Sequence, residues 1–283
     1  MIPTKPKAIR TWGEFVQLAT TDFVGRWYFR GVLDDWPLAP SLERGCRTWK
    51  VPTKEIPNIE KRLLREFKRA YPRRGAVVPP ANDDLAWLAL IQHHGGPTRL
   101  LDWTYSPFVA AFFALDALLA SRDKKRKAAI WALSAVPTSN KSVRHFLPPP
   151  LRPIFDGYSK TREGEYFRPL FLEASPPFGF VTPVNPYILN ERLIAHQGLF
   201  LCPGDVSRSF EENLLCVPRV TDAANLRKIL LSRSMLPDAF TGLRRMNITY
   251  ASLFPGLDGY TRSMLHLIHS LKDPRLFHDP TDY

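Results

Sequence analysis

Cysteine, acidic residues and long apolar runs are all scarce in this chain. Its three cysteines, Cys46, Cys202 and Cys216, are widely spaced and form no Cys-x-x-Cys pair. That excludes a disulfide framework and a thiolate zinc site. The longest apolar stretch, Phe108–Leu115, falls well short of the roughly 18–20 residues of a membrane span. The N-terminal MIPTKPKAIR lacks the apolar segment of a signal peptide. No Gly-x-x-x-x-Gly-Lys follows a strand pattern, so no P-loop is expected. His93 and His94 are adjacent and cannot both ligate one metal from a regular helix, and no Glu-x-x-His accompanies them. The expectation is a cytoplasmic protein with reduced thiols, no membrane partner and no metal.

Basic residues are plentiful. Lys and Arg total 39 against 27 Asp and Glu, a net charge of +12. The excess is uneven: residues 1–80 carry 16 basic and 8 acidic side chains. Such a balance points to a polyanionic partner, nucleic acid first among them. Its clearest carrier is Glu55–Tyr71, whose period fits an amphipathic helix with Leu63, Leu64 and Phe67 inward and Lys61, Arg62, Arg65, Lys68 and Arg69 mostly outward. Arg73 and Arg74 follow. Arg62, Arg65, Arg69, Arg73 and Arg74 are therefore the candidate nucleic-acid contacts.

Hydrophobic periodicity predicts helices over Ala8–Thr20, over a stretch capped by Asp83 or Asp84 and stopped at Gly95-Gly96, and over Ser106–Ser121. Two more are expected near the end of the chain, Asp222–Ser234 and Tyr260–Leu271. Strands are expected at Phe23–Val32, Ala128–Val136 and Gly198–Cys202. Residues 137–186 hold ten of the 27 prolines and read as a long, largely irregular region. With no internal repeat and no Gly/Ser linker, the chain reads as one mixed α/β (α+β) domain over 1–283, its core spanning about 10–265 and its C-terminal helices 222–271. A mixed β-sheet flanked by helices is the expected architecture.

The most informative segment runs from Gln92 to Ala114. Gln92, His93, His94, Thr98, Arg99, Asp102, Thr104 and Ser106 crowd into one connection between two apolar segments. Ser106-Pro107 places an N-cap and a first-turn proline at a helix start. Unpaired N–H groups there suit an anion such as phosphate. Arginine grips phosphate in a bidentate fashion that lysine cannot match, which makes Arg30 and Arg99 candidates, although Arg99 paired with Asp102 could equally pin the turn. Trp27, Trp36 and Trp103 could stack on a base or pack in the core.

Four segments together resemble the FRG-domain family, named for a Phe-Arg-Gly motif. They are Trp27-Tyr-Phe-Arg-Gly31 with Trp36 through Arg44, the Gln92–Ala114 block, Arg192-x-x-x-His196-Gln-Gly-Leu-Phe200, and Leu253-Phe-Pro-Gly-Leu-Asp-Gly259. The order of these motifs also resembles ADP-ribosyltransferases, which implies an ADP-ribosyltransferase-like core and NAD as substrate. On that resemblance Arg30 matches the phosphate-contacting Arg, and Thr104 with Ser106 the Ser-Thr-Ser element. Glu191 or Gln197 stands near the catalytic Glu. Gln197 cannot act as a base and Glu191 lies six residues earlier, so Asp102 becomes the substitute carboxylate. Gly31, His94, Thr98, Arg99 and Arg192 complete the expected ligand-binding set. The implied function is ADP-ribosyl transfer or NAD glycohydrolysis acting on or with nucleic acid, of a kind found in toxins and antiviral defence effectors. The alternative is a non-catalytic nucleic-acid or nucleotide-binding module.

Overall fold

The computed structural model describes residues 2, 4–71, 78–161, 166–187, 189 and 191–270. Seven strands form one sheet: β1 (Lys7–Ile9), β2 (Trp27–Leu33), β3 (Leu101–Thr104), β4 (Ala128–Ser134), β5 (Val181–Val184), β6 (Gly198–Pro203) and β7 (Leu226–Leu231). Their order is β1-β7-β4-β2-β3-β6-β5. Only the β1–β7 pair is parallel; the other neighbours are antiparallel. The expected mixed sheet flanked by helices is therefore present.

The helices of the first half are α1 (Trp12–Thr21), α2 (Ser41–Thr48), α3 (Ile56–Ala70), α4 (Asp84–His93) and α5 (Pro107–Ala120). Those of the second half are α6 (Ala135–Thr138), α7 (Asn140–Phe146), α8 (Arg152–Thr161), α9 (Glu191–Ala195), α10 (Phe210–Leu215), α11 (Leu236–Arg245), α12 (Tyr250–Leu253) and α13 (Leu257–Ser270). Among the described residues no helix is long and apolar enough to cross a membrane.

Strand alternation sorts the core onto two faces of the sheet. Trp27, Phe29 and Leu33 join Ile130, Ile229 and Leu231 against α5 and α11. Tyr28 and Val32 join Trp131, Trp103 and Leu201 with Phe210 and Leu214 of α10. Helix α5 is apolar except for Asp116, as a largely buried helix should be. It starts at Pro107, behind a Ser106 side chain that accepts from the Val109 N–H at 3.3 Å. Its backbone lies on Gly31, where a Cβ would come within 1.9 Å of the Ala110 carbonyl oxygen. The glycine of Phe29-Arg30-Gly31 is thus required by close packing of helix on strand.

Three expectations are corrected. The helix expected over Asp222–Ser234 is strand β7: Leu226, Ile229 and Leu231 are buried, and the segment pairs with β1 on one side and β4 on the other. Tertiary pairing overrides the helical propensity of a short apolar run. The Ala8–Thr20 helix begins only at Trp12, after a Thr11 cap, because Lys7–Ile9 completes the sheet edge. Residues 137–186 contain α7, α8, a π-helical turn at Arg168–Leu172 and β5. Their prolines are tolerated there because several sit in the first turn of a helix, where a missing N–H costs no bond.

Candidate functional site

Strands β2 and β4 pair along all seven residues, whereas β2 and β3 share a single register pair, Phe29 with Thr104. Beyond it the two strands part. Into this split opens a cleft of about 820 Å³, bounded by β2, β3, α2, α4, α5 and the α9–β6 corner. Arg30, Gln92, His93, Asp102, Thr104, Arg192 and His196 line it, together with Trp36, Phe113 and Phe254. Segments 30, 92–104 and 192–198 thus converge on one site, as their polar character at the ends of apolar runs suggests.

Arg30 bridges the split: Nη1 donates to the Asp102 carbonyl oxygen, and Nε is buried with no hydrogen-bond partner among the described residues. Burial, opposed by the Asp102 carboxylate and aided by Arg44, lowers the Arg30 pKa to about 10. Asp102 is exposed between the buried Leu101 and Trp103. Its carboxylate is held by a relay in which Thr98 Oγ1 donates to Gln92 Oε1 at 2.5 Å and Gln92 Nε2 donates to Asp102 Oδ2 at 2.8 Å. Arg192 stacks its guanidinium 4.5 Å over the Phe254 ring and donates from Nη1 to the His93 carbonyl at 3.3 Å. Burial lowers its pKa, against the pull of Asp102.

The surroundings lower the pKa of both histidines of the cleft. Burial, then Arg192, then His94 lower the pKa of His93. For His196, burial and Arg192 outweigh a backbone hydrogen bond at Leu253 and the charge of Asp102, and its pKa falls to about 4. Four arginines, Arg30, Arg44, Arg47 and Arg192, face two carboxylates, Asp102 and Asp116. Asp116 is already engaged by the Tyr250 hydroxyl and by His266 Nε2 at 3.2 Å. The balance is cationic, and a low-dielectric cleft of one sign concentrates ions of the other.

Several expected residues take other roles. Arg99 is 2% exposed and points away from the cleft. Its Nε donates to Glu60 Oε1 at 2.7 Å, its Nη2 to Glu60 Oε2, and its Nη1 to the Pro203 carbonyl at 3.2 Å. It pairs with Glu60, not with Asp102, and is a structural residue. Ser106 spends its oxygen on the α5 cap, and its own N–H donates to Thr104 Oγ1 at 3.0 Å. Thr104 Oγ1 in turn donates to the His196 carbonyl at 2.7 Å, tying β3 to the α9–β6 corner. Thr98 acts through Gln92, not by lining the cleft. His94 caps the end of α4 with its ring 5.0 Å from His93.

The third motif differs most. Glu191 and Gln197 are both exposed, and neither borders the cleft. Gln197 takes a left-handed backbone, φ 48°, that turns the chain into β6 and leaves His196 as the side chain delivered to the site. His196 and Arg44 were visible in the sequence only as members of motifs, and Arg47 lies just outside them. Neither composition nor spacing singled them out. On α3, Arg62, Arg65 and Arg69 are exposed as expected; Arg65 and Arg69 share Glu66, at 3.4 and 3.3 Å. Lys68 turns inward to Asp84 at 2.5 Å. Arg73 and Arg74 lie outside the described residues.

Residues 25–123 match the family model of the FRG domain. No curated protein and no solved structure matches the chain.

Proposed function

We propose, for a chain that carries an FRG domain over residues 25–123, that the cleft binds NAD and cleaves its nicotinamide–ribosyl bond. ADP-ribose then passes to water or to a nucleic-acid acceptor. The observation that carries this reading is the convergence of Arg30 and Arg192 with the braced carboxylate of Asp102 in one cleft of about 820 Å³. That volume lies within the roughly 300–1,000 Å³ of small-molecule sites. A half-buried guanidinium with its Nε unpaired, and its hydrogen bond spent on a carbonyl, favours an anion beside it. The pyrophosphate of a dinucleotide supplies one in bidentate geometry.

Cleavage of an N-ribosyl bond develops positive charge on the ribose carbon, and a fixed carboxylate stabilises it more as it forms than before. Gln92 occupies Oδ2 of Asp102, so Oδ1 is the oxygen assigned to the ribosyl centre. The rings of Trp36 and Phe113 at the cleft wall supply apolar surface for the base and the nicotinamide. A second reading, a non-catalytic nucleotide-binding module, is favoured by one observation: the third motif brings a neutral histidine to the cleft instead of a carboxylate.

Calorimetric titration with ADP-ribose tests the binding half of the proposal. We expect saturable binding by the folded protein and at least a tenfold loss in Arg30→Lys, because an ammonium cannot replace the fork. Equal affinity in Arg30→Lys, with the fold intact by circular dichroism, would contradict phosphate gripping by Arg30.

A further inference from the structure

We infer that His196 is a further catalytic residue, whose Nε2 takes the proton from the hydroxyl that attacks the ribosyl carbon. The inference rests on the reading of the cleft as an NAD-cleaving site. It supplies the base that no carboxylate of the third motif provides.

Backbone bonds and ring contacts fix where this imidazole sits at the cleft wall. Its backbone carbonyl accepts from Thr104 Oγ1 at 2.7 Å and its backbone N–H donates to the Arg192 carbonyl at 2.9 Å. The ring packs edge-on against two phenyl groups that also touch each other, with centroids 5.1 Å from Phe113 and 5.0 Å from Phe254. Its Nε2 is buried with no hydrogen-bond partner among the described residues. With no partner on the protein, Nε2 is free to carry the lone pair of a neutral imidazole whose proton is on Nδ1. A buried acceptor left unpaired costs stability unless a ligand completes it.

The charged groups facing the ring are Arg192 of α9, which disfavours its protonation, and Asp102 of β3, which favours it. The rings contributed by α5 and by the turn after α12 are uncharged. The outcome is an imidazole that stays unprotonated at neutral pH and is ready to accept.

The step balances simply. The bond between the ribosyl carbon and the nicotinamide nitrogen breaks, and its electron pair leaves with nicotinamide. The oxygen of water, or of an acceptor hydroxyl, bonds to that carbon, and its proton goes to Nε2. The imidazolium then returns the proton to solvent.

The test compares wild type with His196→Gln, which keeps a hydrogen-bond acceptor of similar reach but is not basic. In NAD turnover we expect kcat to fall about 100- to 10,000-fold, the usual contribution of a positioned base, with KM changed less than threefold. An acid limb of kcat near pH 4 should be present in wild type and absent in the variant. Because a buried substitution can unfold the chain, nitrogen NMR of the wild-type imidazoles provides an independent readout. It should find Nε2 unprotonated at pH 7 and shifted on addition of ADP-ribose. Unchanged kcat in folded His196→Gln, or a protonated Nε2 that ignores ADP-ribose, would overturn the role of His196 while leaving NAD cleavage standing. A wild type that releases no nicotinamide would instead overturn the reading on which the inference rests.

Discussion

Two arginines of similar sequence character have opposite fates. Arg30 reaches the cleft with part of its guanidinium unpaired, whereas Arg99 is sealed against Glu60 with both Nε and Nη2 engaged. Arg99 lies three residues from Asp102, which made a local ion pair the natural reading. Its partner sits 39 residues earlier, on α3, and no local period encodes a contact of that range. Removing one member of a buried pair strands the other, so Arg99→Met should destabilise the fold by about 3–5 kcal/mol. The double variant with Glu60→Leu should recover much of that loss. Urea denaturation of the two variants checks this; a cost below about 1 kcal/mol for Arg99→Met would show that the pair is not structural.

Secondary-structure elements were legible where one period ran unopposed. Helix α3 at Ile56–Ala70, α5 at Pro107–Ala120 and strand β4 at Ala128–Ser134 fall close to their expected spans because their apolar spacing is unopposed, with a Ser106 cap added at α5. Strand β7 was not legible: its run Leu226–Leu231 suits a helix locally, and only the partners on both sides make it a strand. The Phe-Arg-Gly motif is explained at this scale as well. Gly31 lets α5 rest on β2, which in turn fixes where Arg30 emerges. Gly31→Ala should force the helix away from the strand and destabilise the protein by about 1–3 kcal/mol or more. It should also weaken ADP-ribose binding, although the added methyl touches no ligand group. Thermal melting and calorimetry report the two effects. Full stability in Gly31→Ala would contradict the close-packing account.

At the scale of the molecule, the mixed sheet and its flanking helices were foreseen and the strand order was not. The convergence of three segments was foreseen: polar groups at the ends of apolar runs meet in one cleft, from β2, β3 and the α9–β6 corner. Which side chain of each motif points inward depends on backbone detail such as the left-handed turn at Gln197. The net charge of +12 bears on partners of the whole molecule. If α3 tracks a polynucleotide, reversing Arg62, Arg65 and Arg69 to Glu should weaken binding across sequences and flatten its salt dependence, since each neutralised phosphate releases counterions. ADP-ribose affinity should be unaffected. Fluorescence anisotropy with short DNA and RNA at low and high salt decides it, and equal binding by the triple variant would remove α3 from the interface.

The central claim is that the split between β2 and β3 forms a cleft where NAD is cleaved beside Asp102. Free nicotinamide measured after incubation with NAD, alone and with DNA, RNA or cell extract, tests it most directly. The account predicts release by wild type under at least one of these conditions, and a loss of about 100-fold or more in Asp102→Asn, which keeps the Gln92 contact within reach but removes the charge. No release under any condition, or equal release by folded Asp102→Asn, would contradict it.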